Sequence, residues 1–345
     1  MGLPAEADAP PRQGRALIIA ETASSHEGRL DLARQLTEAA AAAGADAIKF
    51  QVFVADELVT VDHLKYPAFK QLELDPAQWA QIVRWAEAAG LAFFADVFDT
   101  PSFRLMEDLG AAAYKIHSTN LTHDAFLAEV ASAGKAILLA AGGGTDEDLA
   151  HALKVLESGG RRDIILLHGY QAYPTPVEDT QLRRMARLRE RFRRPVGLSD
   201  HVDAESPLAV TLPAIAVGMG AVAIEKHLTM DRELRGRDYY SALNPSEFAR
   251  MVELIRLVER ALGAEGEEVP ASERQYQMAV EKHIVAREAV PPGTPIRLEM
   301  LALKRTPSRG LSAAFLGVVT GRRARRALER DQPILLEDLE DDERS

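Results

Sequence analysis

From residue 16 onward the chain repeats one pattern: a short uninterrupted apolar run, then a stretch whose apolar residues recur at helical spacing. Runs of this length suit parallel strands buried on both faces, and the stretches between them suit the helical crossovers that parallel strands require. The runs are ALIIAE (16–21), DAIKFQ (46–51), AFFADV (92–97), AAYKIH (112–117), KAILLAA (135–141), DIILLHG (163–169), PVGLSD (195–200) and AVAIEKH (221–227). Among the helical stretches, LDLARQLTEAAAAAG and PAQWAQIVRWAEAAG each close on a glycine suited to a helix C-terminus, and NPSEFARMVELIRLVERALG is the longest. Eight such units favour a closed (β/α)₈ barrel, with an open doubly wound sheet as the alternative.

At 345 residues the chain exceeds the roughly 250 typical of one barrel. A second, smaller domain is therefore expected. The repeating pattern dissolves in the polar stretch GAEGEEVPASERQYQMA, and the remainder of the chain is short and β-like: HIVA, the turn signal PPGT, then PIRLEMLALKR. The predicted organisation is a tail over 1–15, a barrel over 16–263, a linker over 264–280 and a small, mostly β domain over 281–345. GRRARR (321–326) in that domain reads first as a solvated face and second as a phosphate-binding patch.

Several function classes are excluded by composition. With 41 Lys and Arg against 52 Asp and Glu, net charge −11, the chain lacks the positive field of a nucleic-acid binder. It has no cysteine, so metal ligands must be His, Asp or Glu. No apolar stretch approaches the ~18 residues of a membrane span, and the first fifteen residues have no apolar core behind a basic start. A cytoplasmic enzyme without membrane or nucleic-acid partners is the expectation.

Active sites of such barrels lie at the C-terminal ends of the strands. The polar residues there are Glu21, Lys49, Gln51, Asp96, Lys115, His117, Ser118, His168, Ser199, Asp200, His201, Glu225, Lys226 and His227. Residues two apart share a face, so Lys49 and Gln51, Ser199 and His201, and Glu225 and His227 can point inward as pairs. Strands seven and eight are neighbours about 5 Å apart, which lets His201 and His227 share one divalent ion with positions open for water and substrate. Hydrogen-bonded structural histidines are the competing reading. Lys49 and Lys115, with Ser118 and Ser199, suit a phosphate or carboxylate; salt bridges to Glu21, Asp96 or Glu225 that merely tie the barrel together are equally compatible, and a Schiff-base aldolase lysine, which would not need the histidine pair, is a third reading.

These strand-end motifs resemble those of the sialic acid synthase family, the N-acetylneuraminate, legionaminate and pseudaminate synthases. The resemblance rests on IIAE and HEG (18–21, 26–28), GADAIKFQ (44–51), YKIHS (114–118), YPTPVEDTQL (173–182), PVGLSDH (195–201) and AIEKHLTMD (223–231), with KRTP (304–307) and GRRARRALERDQPI in the small domain. It implies a TIM barrel joined to an antifreeze-like (SAF) domain. It also implies a metal site at His201 and His227, for Mn²⁺ or otherwise Mg²⁺ or Co²⁺, that polarises the aldehyde of an open-chain N-acylated sugar. Lys49, Gln51, Lys115, Ser118 and Ser199 would then hold phosphoenolpyruvate, while Glu21 and Glu225 position sugar or water and handle protons. Tyr173 and Asp238 become substrate contacts, and Arg305 a sugar contact reaching the barrel of a partner subunit, hence a homodimer.

The chain departs from the family pattern at Ser25 and Glu27, Asp96, Asn120, Ala140 to Gly142, and Ala172, positions that cluster around the two substrates in the family and spare the histidine pair. The primary expectation is a phosphoenolpyruvate-dependent synthase of a sialic-acid-like keto sugar acid. A metal-dependent aldolase or lyase that does not use phosphoenolpyruvate, and a non-catalytic sugar-binding scaffold, are the alternatives.

Overall fold

Each predicted apolar run is a strand in the computed structural model, which describes residues 15–263 and 269–340. The strands are β1 (Leu17–Ala23), β2 (Ala47–Val52), β3 (Ala92–Val97), β4 (Ala113–Ile116), β5 (Ala136–Ala140), β6 (Ile164–His168), β7 (Val196–Asp200) and β8 (Ala223–His227). All pair in parallel with their sequence neighbours, and β1 pairs with β8 (Glu21 beside His227), so the sheet closes on itself. The open-sheet alternative is thereby ruled out. The crossovers are α1 (Leu30–Ala42), α2 to α4 (Ala55–Leu58, Tyr66–Leu72, Pro76–Ala88), α5 (Thr100–Asp108), α6 (Asp124–Ser132), α7 (Asp146–Ser158), α8 (Arg183–Phe192) and α9 (Leu212–Gly218), with α10 (Pro245–Leu262) after the last strand.

Local chemistry accounts for the helix limits. Asp75 and Asn244 start α4 and α10 as reciprocal capping boxes with Gln78 and Glu247, and each helix has proline in its first turn. Gly44 and Gly90 follow α1 and α4 with φ of +82° and +77°, backbone that residues with a Cβ adopt only under strain. Phe248, Met251, Val252 and Ile255 form the buried stripe of α10 at the i, i+3, i+4, i+7 spacing read from the sequence.

Two apolar cores follow from strand parity. Ile18, Ile48, Phe50, Ala95 and Leu166 face the helices, whereas Ile19, Ala47, Phe94, Ala113, Leu138, Ile165, Leu167 and Ala223 plug the barrel. Residues two places beyond the plug therefore reach the barrel mouth.

The chain divides into two compact units, Met1–Ala264 and Glu265–Ser345. The second differs from expectation near its start: α11 (Ala271–Val280) occupies most of the predicted linker, of which 264–268 lie outside the described residues, as do 1–14 of the predicted tail. No α11 residue is buried, so its sequence carries no apolar stripe to reveal the helix. Beyond it, β9 (Lys282–Ala286) pairs antiparallel with β10 (Leu301–Arg305), and α12 (Leu316–Val319) comes next. This unit has its own core of Ile284, Ala286, Val290, Ile296, Leu301, Val319, Ala324, Leu328, Ile334 and Leu339. No helix of the described residues is long and apolar enough to cross a membrane.

Candidate active site

Just beyond the apolar plug the inward positions change character. Glu21, Lys49, Asp96, Lys115, Ser199 and Glu225, from six of the eight strands, are all buried. β5 and β6 offer only Ala140 and Gly169 at this height. Gly169 is required there, because a Cβ would lie 2.1 Å from the Ser199 carbonyl oxygen. The mouth thus has a charged side and a side without functional groups.

On the charged side the groups form one network. Lys49 Nζ pairs with the Glu21 carboxylate and lies 3.4 Å from both Asp96 and Glu225; Lys115 Nζ lies 2.6 Å from Glu225 and 3.7 Å from Asp96. The Ser199 hydroxyl donates to Glu225 at 2.7 Å. The salt-bridge reading of the lysines is therefore realised. Burial by itself would raise the Glu225 pKa, but Lys115 and Lys49, with the Lys115 and Ser199 hydrogen bonds, hold it well below the usual range. Burial also lowers Lys49, which faces Lys115, whereas for Lys115 burial is outweighed by Glu225 and Asp96, which raise it.

Above this network stand His201 and His227, their rings 5.4 Å apart. The His201 Nδ1–H donates to the Tyr170 carbonyl at 2.9 Å, which leaves Nε2 as the unprotonated nitrogen, 3.3 Å from the Ser199 oxygen. His227 Nδ1 is buried without a hydrogen-bond partner. Burial pushes His201 down to about 4, aided by Lys115, and His227 well below its ordinary value, aided by His201. Both are thus neutral imidazoles, the form that ligates metal. Among the described residues no three His, Asp or Glu side chains form a ligand set, so this pair would be the protein's whole contribution.

Of the other predicted residues, Tyr173 is in contact with both histidines. Tyr173, which is joined to Pro174 by a cis bond, has its ring 4.4 Å from that of His201. Gln51 is half-buried, 3.5 Å from the Ser24 hydroxyl. Ser118 opens a short 3₁₀ turn after β4, against Gly143. Asp238 accepts from the Tyr240 hydroxyl at 3.4 Å, and burial raises its pKa. Arg305 ends β10 in the other unit and is exposed.

Four of the residues singled out in the sequence prove to have other roles. His168 shares parity with Ile164 and Leu166, faces the helices and contacts the Thr180 carbonyl at 2.8 Å. Asp200 and Lys226 likewise point outward and pair at 2.9 Å. Asn120 donates to the Phe98 carbonyl, a structural contact. Sequence reasoning missed the Tyr170 carbonyl, since a backbone acceptor leaves no residue-type signal. It also missed Tyr240, whose ring lies 6.5 Å from Tyr173.

A closed parallel barrel with two adjacent buried histidines over a lysine–carboxylate network, followed by a small β-rich unit, defines a (β/α)₈ protein with a buried polar mouth. The chain belongs to the NeuB family, whose model matches residues 36–267, and a SAF domain matches 281–340. It is 36% identical to the uncharacterized protein MJ1065 of Methanocaldococcus jannaschii over 93% of this chain and 94% of that one. It is 32% identical to N,N'-diacetyllegionaminic acid synthase of Campylobacter jejuni over 93% and 99%. The crystal structure of N-acetylneuraminic acid (sialic acid) synthetase from Leptospira borgpetersenii serovar Hardjo-bovis in complex with citrate covers 76% of this chain and 91% of its own, at 29% identity and TM-score 0.71. The expected sialic acid synthase family and the barrel-plus-SAF fold are both borne out.

Proposed function

We propose that this chain condenses phosphoenolpyruvate with an open-chain N-acylated aldehyde sugar, giving a sialic-acid-like keto sugar acid and phosphate. The observation that carries this reading is the pair of neutral, adjacent histidines directly above two buried lysines. Names of relatives such as the C. jejuni synthase support the reaction class.

His201 and His227 would hold a divalent ion, Mn²⁺ first and Mg²⁺ or Co²⁺ as alternatives, which when bound supplies Lewis-acid polarisation of the aldehyde oxygen. Lys49 and Lys115 supply N–H donors and positive charge for the carboxylate and phosphate of the enol substrate, with Ser118 and Ser199 as hydroxyl donors. Gln51, Tyr173 and Asp238 line the approach of the sugar. The enol C3 attacks the aldehyde carbon, water adds at C2, and phosphate leaves with cleavage of its bond to C2. Glu225, held ionised by Lys115, and Glu21 are the carboxylates able to orient the sugar or accept the proton released by water. Arg305 fits the same scheme as a sugar contact supplied by a partner copy in a homodimer.

The test is phosphate release from phosphoenolpyruvate with N-acylmannosamine-type and gulose-derived aldehydes, with and without Mn²⁺. Product formation without phosphate release would favour the aldolase alternative. Sugar binding without turnover of any pair would favour the scaffold. Sedimentation of the wild type, and loss of sugar affinity in Arg305→Ala, test the dimer.

A further inference from the structure

Two ammonium groups and three carboxylates share the floor of the mouth, all at least nine-tenths buried: Lys49 and Lys115 at 0% and 5% exposed, Glu21, Asp96 and Glu225 at 2%, 1% and 1%. At their ordinary charges they leave one negative charge in excess. Asp96 is the least anchored member. Glu21 also accepts the Ala23 amide at 2.5 Å, and Glu225 the Ser199 hydroxyl at 2.7 Å. Asp96 Oδ2 has only the lysines, 3.4 Å and 3.7 Å away, and its buried Oδ1 has no hydrogen-bond partner.

An anion that enters must compete with Asp96 for the same N–H donors. Deep in the mouth, solvent and salt screen that competition weakly. Repulsion scales with charge, so a phosphate carrying about two negative charges is penalised roughly twice as much as a carboxylate carrying one.

We propose that Asp96 is a specificity-determining residue that competes with the phosphate group for Lys49 and Lys115, so that the phosphorylated substrate is held weakly and inorganic phosphate departs readily. The identity of that substrate rests on the proposed condensation. The competition itself does not, because inorganic phosphate alone can probe it.

The experiment compares the full-length wild type with Asp96→Asn, Asp96→Thr and Asp96→Glu by calorimetric titration of inorganic phosphate and of pyruvate. Both neutral variants should bind phosphate at least about tenfold more tightly, equivalent to about 1.4 kcal/mol. Pyruvate, with a single charge, should gain only about threefold. The charge-conserving Asp96→Glu should stay near the wild type. In steady state with phosphoenolpyruvate, KM should fall about tenfold while kcat falls too, with stronger inhibition by added phosphate. Should Asp96→Asn fail to fold, Asp96→Thr, a β-branched residue suited to β3, gives the same comparison. Phosphate affinity unchanged or weakened in a folded neutral variant overturns the proposal and leaves Asp96 a strut for the lysines. Failure of the phosphoenolpyruvate reading shows itself separately, as a wild type that releases no phosphate with any acceptor.

Discussion

Charged side chains are used in opposite ways in the two domains. At the barrel mouth, Lys49, Lys115, Glu21, Asp96 and Glu225 are buried yet incompletely matched, with an excess negative charge and the unpartnered atoms Asp96 Oδ1 and His227 Nδ1. In the small domain the arginines of GRRARR lie near the surface and hold the chain together: Arg322 on the Glu340 carbonyl, Arg323 on the Gly293 carbonyl at 2.7 Å, Arg326 on Asp338. Unmatched buried polar groups are costly and persist where a ligand completes them. Paired surface groups need no ligand. By this contrast the barrel mouth, rather than the paired basic run, is the candidate for chemistry.

The largest effect that could break this comparison is at the histidine pair. His201→Ala should lower phosphate release by roughly 10³-fold or more and remove stoichiometric metal, since it deletes one of the two proposed imidazole ligands. Metal analysis and turnover check it together. Full activity with metal still bound would show that the pair is structural.

Next comes a buried pair on the same strands that faces away from the mouth. Removing Lys226 by an alanine substitution leaves Asp200, 1% exposed, without its ammonium partner, and should cost about 3–5 kcal/mol of stability in denaturant unfolding. The double change Lys226→Met with Asp200→Leu should recover most of that loss, because a hydrophobic pair of similar volume replaces the ion pair. Phosphate affinity should be unchanged in the double variant. A fall there would mean that inward and outward charges are not separable.

Parity is what makes the site legible in the sequence. Glu225 and His227 flank Lys226, and Ser199 and His201 flank Asp200, so the two-residue period groups the residues that share a face, and the polar pairs mark which face meets the mouth. The same logic fails at His168. Its strand is apolar on both faces, so nothing in IILLH marks which parity faces the barrel axis. Nor could sequence choose between free and paired lysines. That choice depends on ring neighbours from strands as far apart as Lys115 and Glu225, 110 positions along the chain. The helix α11 is hidden for a different reason: it buries nothing, and helix periodicity is visible only through a buried stripe.

A third prediction uses acid. Metal-free protein has His201 near 4 against 6.5 unfolded, and His227 shifted the same way. The unfolded chain therefore takes up protons first, and stability should decline as pH falls from 6.5 toward 4. Glu225, depressed by Lys115 and Lys49 despite its burial, contributes stability above its ordinary 4.5 that is lost as pH drops further, toward its lower folded value. Melting temperature against pH should thus bend twice. Saturating Mn²⁺ should deepen the upper bend, because protons then also displace the metal.

The smallest effect is expected in the small domain. Arg326 is half exposed but pairs with Asp338, which is fully buried and also accepts the Leu335 amide at 2.8 Å. The guanidinium is 56% exposed and so largely solvated, unlike the Lys226 ammonium at 0%, and Arg326→Ala should cost about 1 kcal/mol, as for a partly exposed ion pair. Arg323→Ala, which frees only the Gly293 carbonyl for water, should cost less. Neither should change phosphate or metal affinity. Loss of phosphate binding in Arg323→Ala with unaltered melting would instead reveal the basic run as an anion site, and the contrast between the two domains would fall.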